Sequence, residues 1–321
     1  MYRLKLVPDN TNWDFFRFAR VVFPASVLAM VIAIASCFTL GFNFGIDFLG
    51  GTTIRTEASQ PVDIGAYRNA LEPLGYGDVT LTQVYDPTFR SDQHVAQIRI
   101  QAPDDAHMLS SEQIAAAERA LQAVDPTIRF QAVETVGPKV SGELVSMALL
   151  SLGAALIGIM FYIWMRFEWQ FGVAAVAALL HDAVMTIGVF SLFQIKFDLT
   201  VVAAVLTVVG YSINDTVVIF DRVRENLVKF KKRSLKDIVN LSLNETLSRT
   251  IMTTMTTFLA LLVLLALGGD VIRGFSFAMV FGIFVGCYST IFIASVVLIW
   301  LGVDRSDKTE KVGKDAAKAA P

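Results

Sequence analysis

The chain has 321 residues, 54% of them hydrophobic and only 17% charged, with a mean hydropathy of +0.56, a balance that excludes an ordinary water-soluble globular domain. A net charge of -2 gives no electrostatic footprint for nucleic acid. The two cysteines, Cys37 and Cys287, both lie in apolar runs, which excludes a disulfide framework and a cysteine-rich zinc site.

Residues 1–20 carry Arg3, Lys5, Arg17 and Arg20 and precede a first apolar run, Val21 to Phe42, long enough to cross a bilayer as a helix. Ile34-Ala35-Ser36-Cys37 looks like a lipoprotein processing site. Apolar sequence continues past Cys37, however, and the run starts well inside the chain, which fits an uncleaved anchor better.

Residues 43–140 are too polar to span and too long for a simple loop. Four strands are predicted, at Thr52 to Thr56, Val79 to Tyr85, Val95 to Gln101 and Ile128 to Val133. The alternation of Ala96, Ile98 and Ile100 with Gln97, Arg99 and Gln101 is the clearest pattern among them. Two helices lie between the strands. Pro61 opens one, with Ile64, Tyr67, Leu71 and Leu74 on one face and Gly75 at its end; Ser110 and Gln113 form a capping box before Ile114, Ala117, Leu121 and Val124. The order β-α-β-β-α-β is that of a ferredoxin-like α+β domain.

Residues 141–303 hold five more spans. Leu144 to Met165, Thr250 to Gly269 and Gly274 to Val303 are free of charge, whereas Trp169 to Ile195 contains His181 and Asp182, and Leu199 to Phe220 contains Asp215. A basic linker occupies 221–249 and a Lys- and Ala-rich tail, expected to be disordered, occupies 304–321. The fold class is therefore a polytopic α-helical membrane protein with six transmembrane helices and one external domain between the first two. Lys and Arg gather at alternate ends of the spans, the opposite short turns holding only Lys196 and Arg273. By the positive-inside rule both termini are cytoplasmic and the α+β domain lies on the far side of the membrane.

A carboxylate in the hydrocarbon costs about 2.5 to 3.5 kcal/mol on insertion scales, so Asp182 and Asp215 need a partner or a task. Tyr211 and Ser212 precede Asp215 by four and three residues, on the same helical face, and Asn214 and Thr216 flank it. Arg249 opens the fifth span, followed by Thr250, Thr253, Thr254 and Thr257 at helical spacing. An Asp and an Arg brought together between helices make a protonation switch. The blander alternative is a fixed ion pair, with threonines bonded back to their own helix and Asp182 with His181 serving polar packing. Gly282 and Gly286 form a GxxxG pair, and His94 and His107 stand alone in the external domain. No nucleophile motif, phosphate loop or zinc signature is present, so an enzyme is not expected.

Phe44-Gly45-Ile46-Asp47-Phe48-Leu49-Gly50-Gly51 after the first span, His181-Asp182 in the third, and Gly210-Tyr211-Ser212-Ile213-Asn214-Asp215-Thr216 running into Phe220-Asp221-Arg222-Val223-Arg224-Glu225-Asn226 resemble the SecF family. These are the smaller membrane subunits of SecDF protein-export complexes, in the resistance-nodulation-division superfamily. The resemblance implies a multi-pass protein of the bacterial inner membrane that pairs with SecD, works with the SecYEG channel, SecA, YajC and YidC, and acts on unfolded exported polypeptide. It implies no bound cofactor; protons are the coupling ion, with sodium left open. Asp215 matches the family's essential acid, Arg249 its functional basic residue, and Gly45, Asp47, Gly50 and Gly51 the motif joining the first span to the external domain. Two rivals stand beside this reading: a half-size solute exporter of the same superfamily, and a passive assembly subunit whose buried charges only hold a complex together.

Overall fold

The structure is a computed structural model that describes residues 8, 11–77, 79–84, 89–90, 92–100 and 109–303. The chain begins with α1 (Phe15–Thr39) and a single helical turn, α2 (Ile46–Leu49), then enters β1 (Gly51–Ala58), α3 (Ile64–Leu71), β2 (Val79–Val84), β3 (His94–Ile100), α4 (Ser111–Val124) and β4 (Arg129–Val136). It continues through α5 (Pro138–Arg166), α6 (Trp169–Leu192), α7 (Leu199–Lys229), α8 (Leu235–Leu267) and α9 (Asp270–Ser289), which passes through a π-helical turn, Thr290–Ala294, into α10 (Ser295–Leu301). Six of these helical stretches are long and apolar enough to cross a membrane, making this a multi-pass membrane protein.

The four strands form one antiparallel sheet in the order β2-β3-β1-β4, the ferredoxin-like arrangement. Ile54 pairs with Ile98 on one side and Val133 on the other. The face carrying Ile54 and Ile98 is covered by α3 and α4, whose Tyr67, Leu71, Ala117 and Leu121 complete a fully buried core. Ser110 and Gln113 form the expected reciprocal capping box. Asp63 rather than Pro61 caps α3, accepting from the Ala66 N–H, and Gly75 closes the following 3-10 turn with a left-handed φ of 66°. Strand β1 is longer at both ends than its alternation suggests because it is paired on both edges. Tyr85, Gln101 and His107 lie outside the described residues.

The opposite sheet face carries Arg55, Gln97 and Arg99 and looks across a cleft of about 580 Å³ onto the bundle end around Lys196, Asp198 and Arg273. Within the bundle, α6, α7 and α9 are the most buried of the long helices, whereas α1, α5 and α8 leave large apolar side chains such as Leu28, Phe38, Leu150, Ile157, Leu259 and Val263 exposed. Such surface is stable only against lipid or against other helices.

Two boundaries differ from the hydropathy reading. Helix α1 starts at Phe15, because the Asp14 carboxylate accepts from the Phe16 and Arg17 N–H groups while Asn240 and Asn244 of α8 accept from the Phe15 and Trp13 N–H groups and donate to the Trp13 carbonyl. The basic segment 221–249 is helical apart from 230–234, stiffened by Arg222 between Glu225 and Glu245 and by a bidentate Arg166–Asp221 pair. Charge marks where a helix leaves the hydrocarbon, not where it ends. Arg3, Lys5 and the tail 304–321 fall outside the described residues.

Candidate functional site in the helix bundle

Close approach of α6, α7 and α9 begins with glycine. A Cβ on Gly282 would lie 2.4 Å from Val208 Cγ2, and one on Gly286 would lie 3.1 Å from the Ser212 side chain and 3.5 Å from Asp182 Oδ2. The GxxxG pair of the sequence therefore lets α9 press onto α7 beside Asp182. Gly188 does the same for α6 against α1: its Cβ would fall 2.3 Å from that of Ala33.

These contacts enclose a polar network centred on Asp182, which is fully buried. Its Oδ2 accepts from Ser212 Oγ at 2.5 Å and from Ser289 Oγ at 2.9 Å, and its Oδ1 is 2.9 Å from His181 Nδ1. His181 Nε2 in turn lies 2.6 Å from Ser26 Oγ of α1 and 3.2 Å from Tyr288 Oη. His181 bridges Asp182 on its Nδ1 side and the Ser26 and Tyr288 hydroxyls on its Nε2 side. Four helical segments are thus tied at one point, α1 through Ser26, α6 through its His-Asp pair, α7 through Ser212 and α9 through Tyr288 and Ser289. Charge-assisted bonds of this kind, shielded from water, are among the strong ones.

Asp215 lies one turn further along α7 than Ser212 and is also buried, 6% exposed. It accepts no hydrogen bond from any described residue. Arg249 does not pair with it: among the described residues no Lys or Arg nitrogen lies within 4 Å of the Asp215 carboxylate, and Arg249 is exposed on the wall of a separate cleft lined by Asp221, Arg222, Glu225 and Glu245. Arg249 thus makes no direct ion pair with Asp215, yet its charge is near enough to act on the carboxylate. The other residues of the predicted stripe diverge. Tyr211 Oη donates to the Thr253 carbonyl and lies 3.2 Å from Thr257 Oγ1, joining α7 to α8; Thr216 Oγ1 is 3.2 Å from Thr290 Oγ1; Asn214 is exposed. Thr253 bonds back to the Arg249 and Thr250 carbonyls.

Sequence reasoning missed Ser26, Tyr288 and Ser289, and also the π-helical turn, where Thr290 Oγ1 donates to the Gly286 carbonyl and Ser295 Oγ to the Thr290 carbonyl. Such turns interrupt helices at functional positions more often than elsewhere.

At the sheet end of the bundle the glycine-rich junction is bound to α7. Gly45 N–H donates to the Phe197 carbonyl and Phe197 N–H to the Asn43 carbonyl, both at 2.8 Å. The Asp47 carboxylate accepts from the Leu199 N–H at 3.1 Å, and Asp198 takes the Thr200 and Val201 N–H groups, so the first turn of α7 is capped from two directions. Gly50 and Gly51, with φ of 72° and 117°, turn the chain from α2 into β1 through conformations that a side chain would strain. Arg99 of β3 donates to the Phe44 carbonyl at 2.9 Å, fastening the sheet to the junction. Burial pulls its guanidinium below the ordinary value, with Asp198 acting in the opposite sense.

Residues 116–304 match the family described as protein export membrane protein SecD/SecF, C-terminal, and residues 35–62 match the SecD/SecF GG motif. The protein translocase subunit SecF of Cereibacter sphaeroides is 59% identical over 318 residues, covering 98% of both chains. That of Rhodobacter capsulatus is 56% identical over 311 residues, covering 95% of this chain and 93% of the relative. The crystal structure of SecDF, a translocon-associated membrane protein from Thermus thermophilus, superposes with a TM-score of 0.81 at 37% identity; the match covers 92% of this chain but only 39% of that longer one. The GG motif coincides with the junction that caps α7, and the C-terminal family with the bundle that buries Asp182 and Asp215, so the chain belongs to the SecD/SecF family of protein export membrane proteins.

Proposed function

We propose that this chain is the SecF-type subunit of a bacterial inner-membrane complex which, paired with SecD, uses the proton gradient to promote late steps of polypeptide export through the Sec channel. It is a transport component. The observation that supports the motor reading is the contrast between two buried acids on adjoining helices. Asp182 is saturated with donors and holds helices together, whereas Asp215 has none among the described residues. A buried carboxylate without donors is costly as an anion and cheap as an acid, so its charge state responds to small movements of its surroundings.

Helix α7 supplies the route outward. Asp215 lies in its inner half, while its outer end is capped by Asp47, three residues before the glycines that lead into β1. Displacement of α7 on proton exchange would carry the junction and the sheet domain with it. Coupling requires only that two conformations differ in the proton affinity of Asp215. The Lys and Arg distribution supports cytoplasmic termini and a periplasmic sheet domain. The apolar faces of α1, α5 and α8, together with the half-exposed threonines of α8, call for a second helical bundle, for which SecD is the natural candidate. SecYEG, SecA, YajC and YidC are the expected further partners. Replacing Asp215 with Asn tests the proposal: the complex should assemble normally and fail to stimulate export.

A further inference from the structure

Where α1 and α8 begin and α10 finishes, an apolar groove of about 360 Å³ opens on the side of the bundle, walled by Phe23, Pro24, Ile299 and Trp300. The Phe23 and Trp300 rings meet edge to face with centroids 4.8 Å apart, and Trp300 is 68% exposed. Arg20 and Lys236 line the same groove and are both exposed. The Lys236 ammonium rests 5.8 Å from the Phe16 ring centre. Among the described residues neither cation lies within 4 Å of a carboxylate. The acids nearest in sequence are otherwise engaged, Asp14 with backbone N–H groups of α1 and Asp237 with the Ser234 hydroxyl. The frame is fixed, because Asn240 and Asn244 bind the backbone ahead of α1 to the first turns of α8.

A slot that takes hydrocarbon, with positive charge at the helix ends that no carboxylate among the described residues pairs, is complementary to one kind of occupant. We propose that the groove binds an anionic phospholipid, an acyl chain lying along Phe23, Ile299 and Trp300 and the phosphate held between Arg20 and Lys236. A transmembrane helix of a partner would fill the apolar part but leave both cations without a counter-charge. The inference needs only that the helices cross a bilayer and is independent of the export reading.

The test uses the full chain in bilayer nanodiscs with Trp13, Trp164 and Trp169 replaced by Phe, so that Trp300 alone fluoresces. Brominated phosphatidylglycerol should quench Trp300 at a several-fold lower mole fraction than brominated phosphatidylcholine. The preference should fall in R20Q and in K236Q and be lost when both cations are removed, and the charge-keeping R20K/K236R variant should retain it. Equal quenching by the two lipids, or an undiminished preference in R20Q/K236Q, overturns the proposal. Loss of quenching by both lipids once the partner subunit is co-reconstituted would also overturn it, since the groove would then be covered by protein.

Discussion

The Asp47 carboxylate accepts a hydrogen bond from the backbone N–H of Leu199, 152 positions away, and so joins the glycine-rich junction of the sheet domain to the first turn of α7. Because Asp198 already caps the next two N–H groups, Asp47 completes the cap rather than creating it. Asp47→Ala should therefore lower thermal stability of the purified chain only modestly, by about 1 kcal/mol, yet reduce export well beyond that loss. Thermal unfolding in detergent and export in reconstituted vesicles measure the two effects separately. Asp47→Asn, which keeps an acceptor but loses the charge at the helix N-terminus, should be intermediate.

The two buried acids should separate in stability. Asp182→Ala strands the Ser212 hydroxyl and removes the acceptor beside His181 Nδ1, while the Ser289 hydroxyl keeps only the Gly286 carbonyl. At about 1 to 3 kcal/mol for each unpaired donor, folded yield and melting temperature should fall sharply. Asp215→Ala, which removes no hydrogen bond to a described residue, should leave both close to the parent values. Equal destabilisation by the two changes would contradict the division of roles.

Helix packing makes a contrast among glycines. Gly188→Ala forces a methyl against Ala33 and should cost about 1 to 3 kcal/mol as overpacking. Gly153→Ala and Gly158→Ala on α5 meet nothing within 4 Å and should be tolerated by the purified chain. Thermal aggregation of the detergent-solubilised variants gives the comparison.

Residues 51–137, expressed alone, should fold cooperatively without disulfides around Ile54, Ile98, Leu121 and Ile128, and Leu121→Ala should cost about 2 to 5 kcal/mol in urea unfolding. Burial, with lesser contributions from Asp125 and Asp63, raises the Tyr67 hydroxyl above its usual value of 10.0. The folded state disfavours the tyrosinate, so stability should hold up to about pH 10 and fall as pH rises beyond it.

Much of this architecture is legible in the sequence. Apolar length marks the six spans, and alternation with capping residues marks the β-α-β-β-α-β order, because burial imposes a local period that the chain must display. The acids Asp182 and Asp215 stand out by their cost in lipid. What the sequence does not display is pairing between distant elements. Ser26, Tyr288 and Ser289 look like ordinary small or aromatic residues of apolar helices until three other segments bring His181 and Asp182 to them. The approach of Gly188 to Ala33 and the capping of Leu199 by Asp47 leave no periodic trace. Arg249 acts on the charge of Asp215 as the residue types suggest, but without a direct ion pair, a separation that residue type alone does not fix.

The most direct measurement is proton-driven export in vesicles containing the complex with Asp215→Asn, alongside its yield of assembled complex. The account predicts unchanged assembly and loss of the stimulation that a proton gradient gives. Normal stimulation with a permanently neutral side chain at 215 would contradict it.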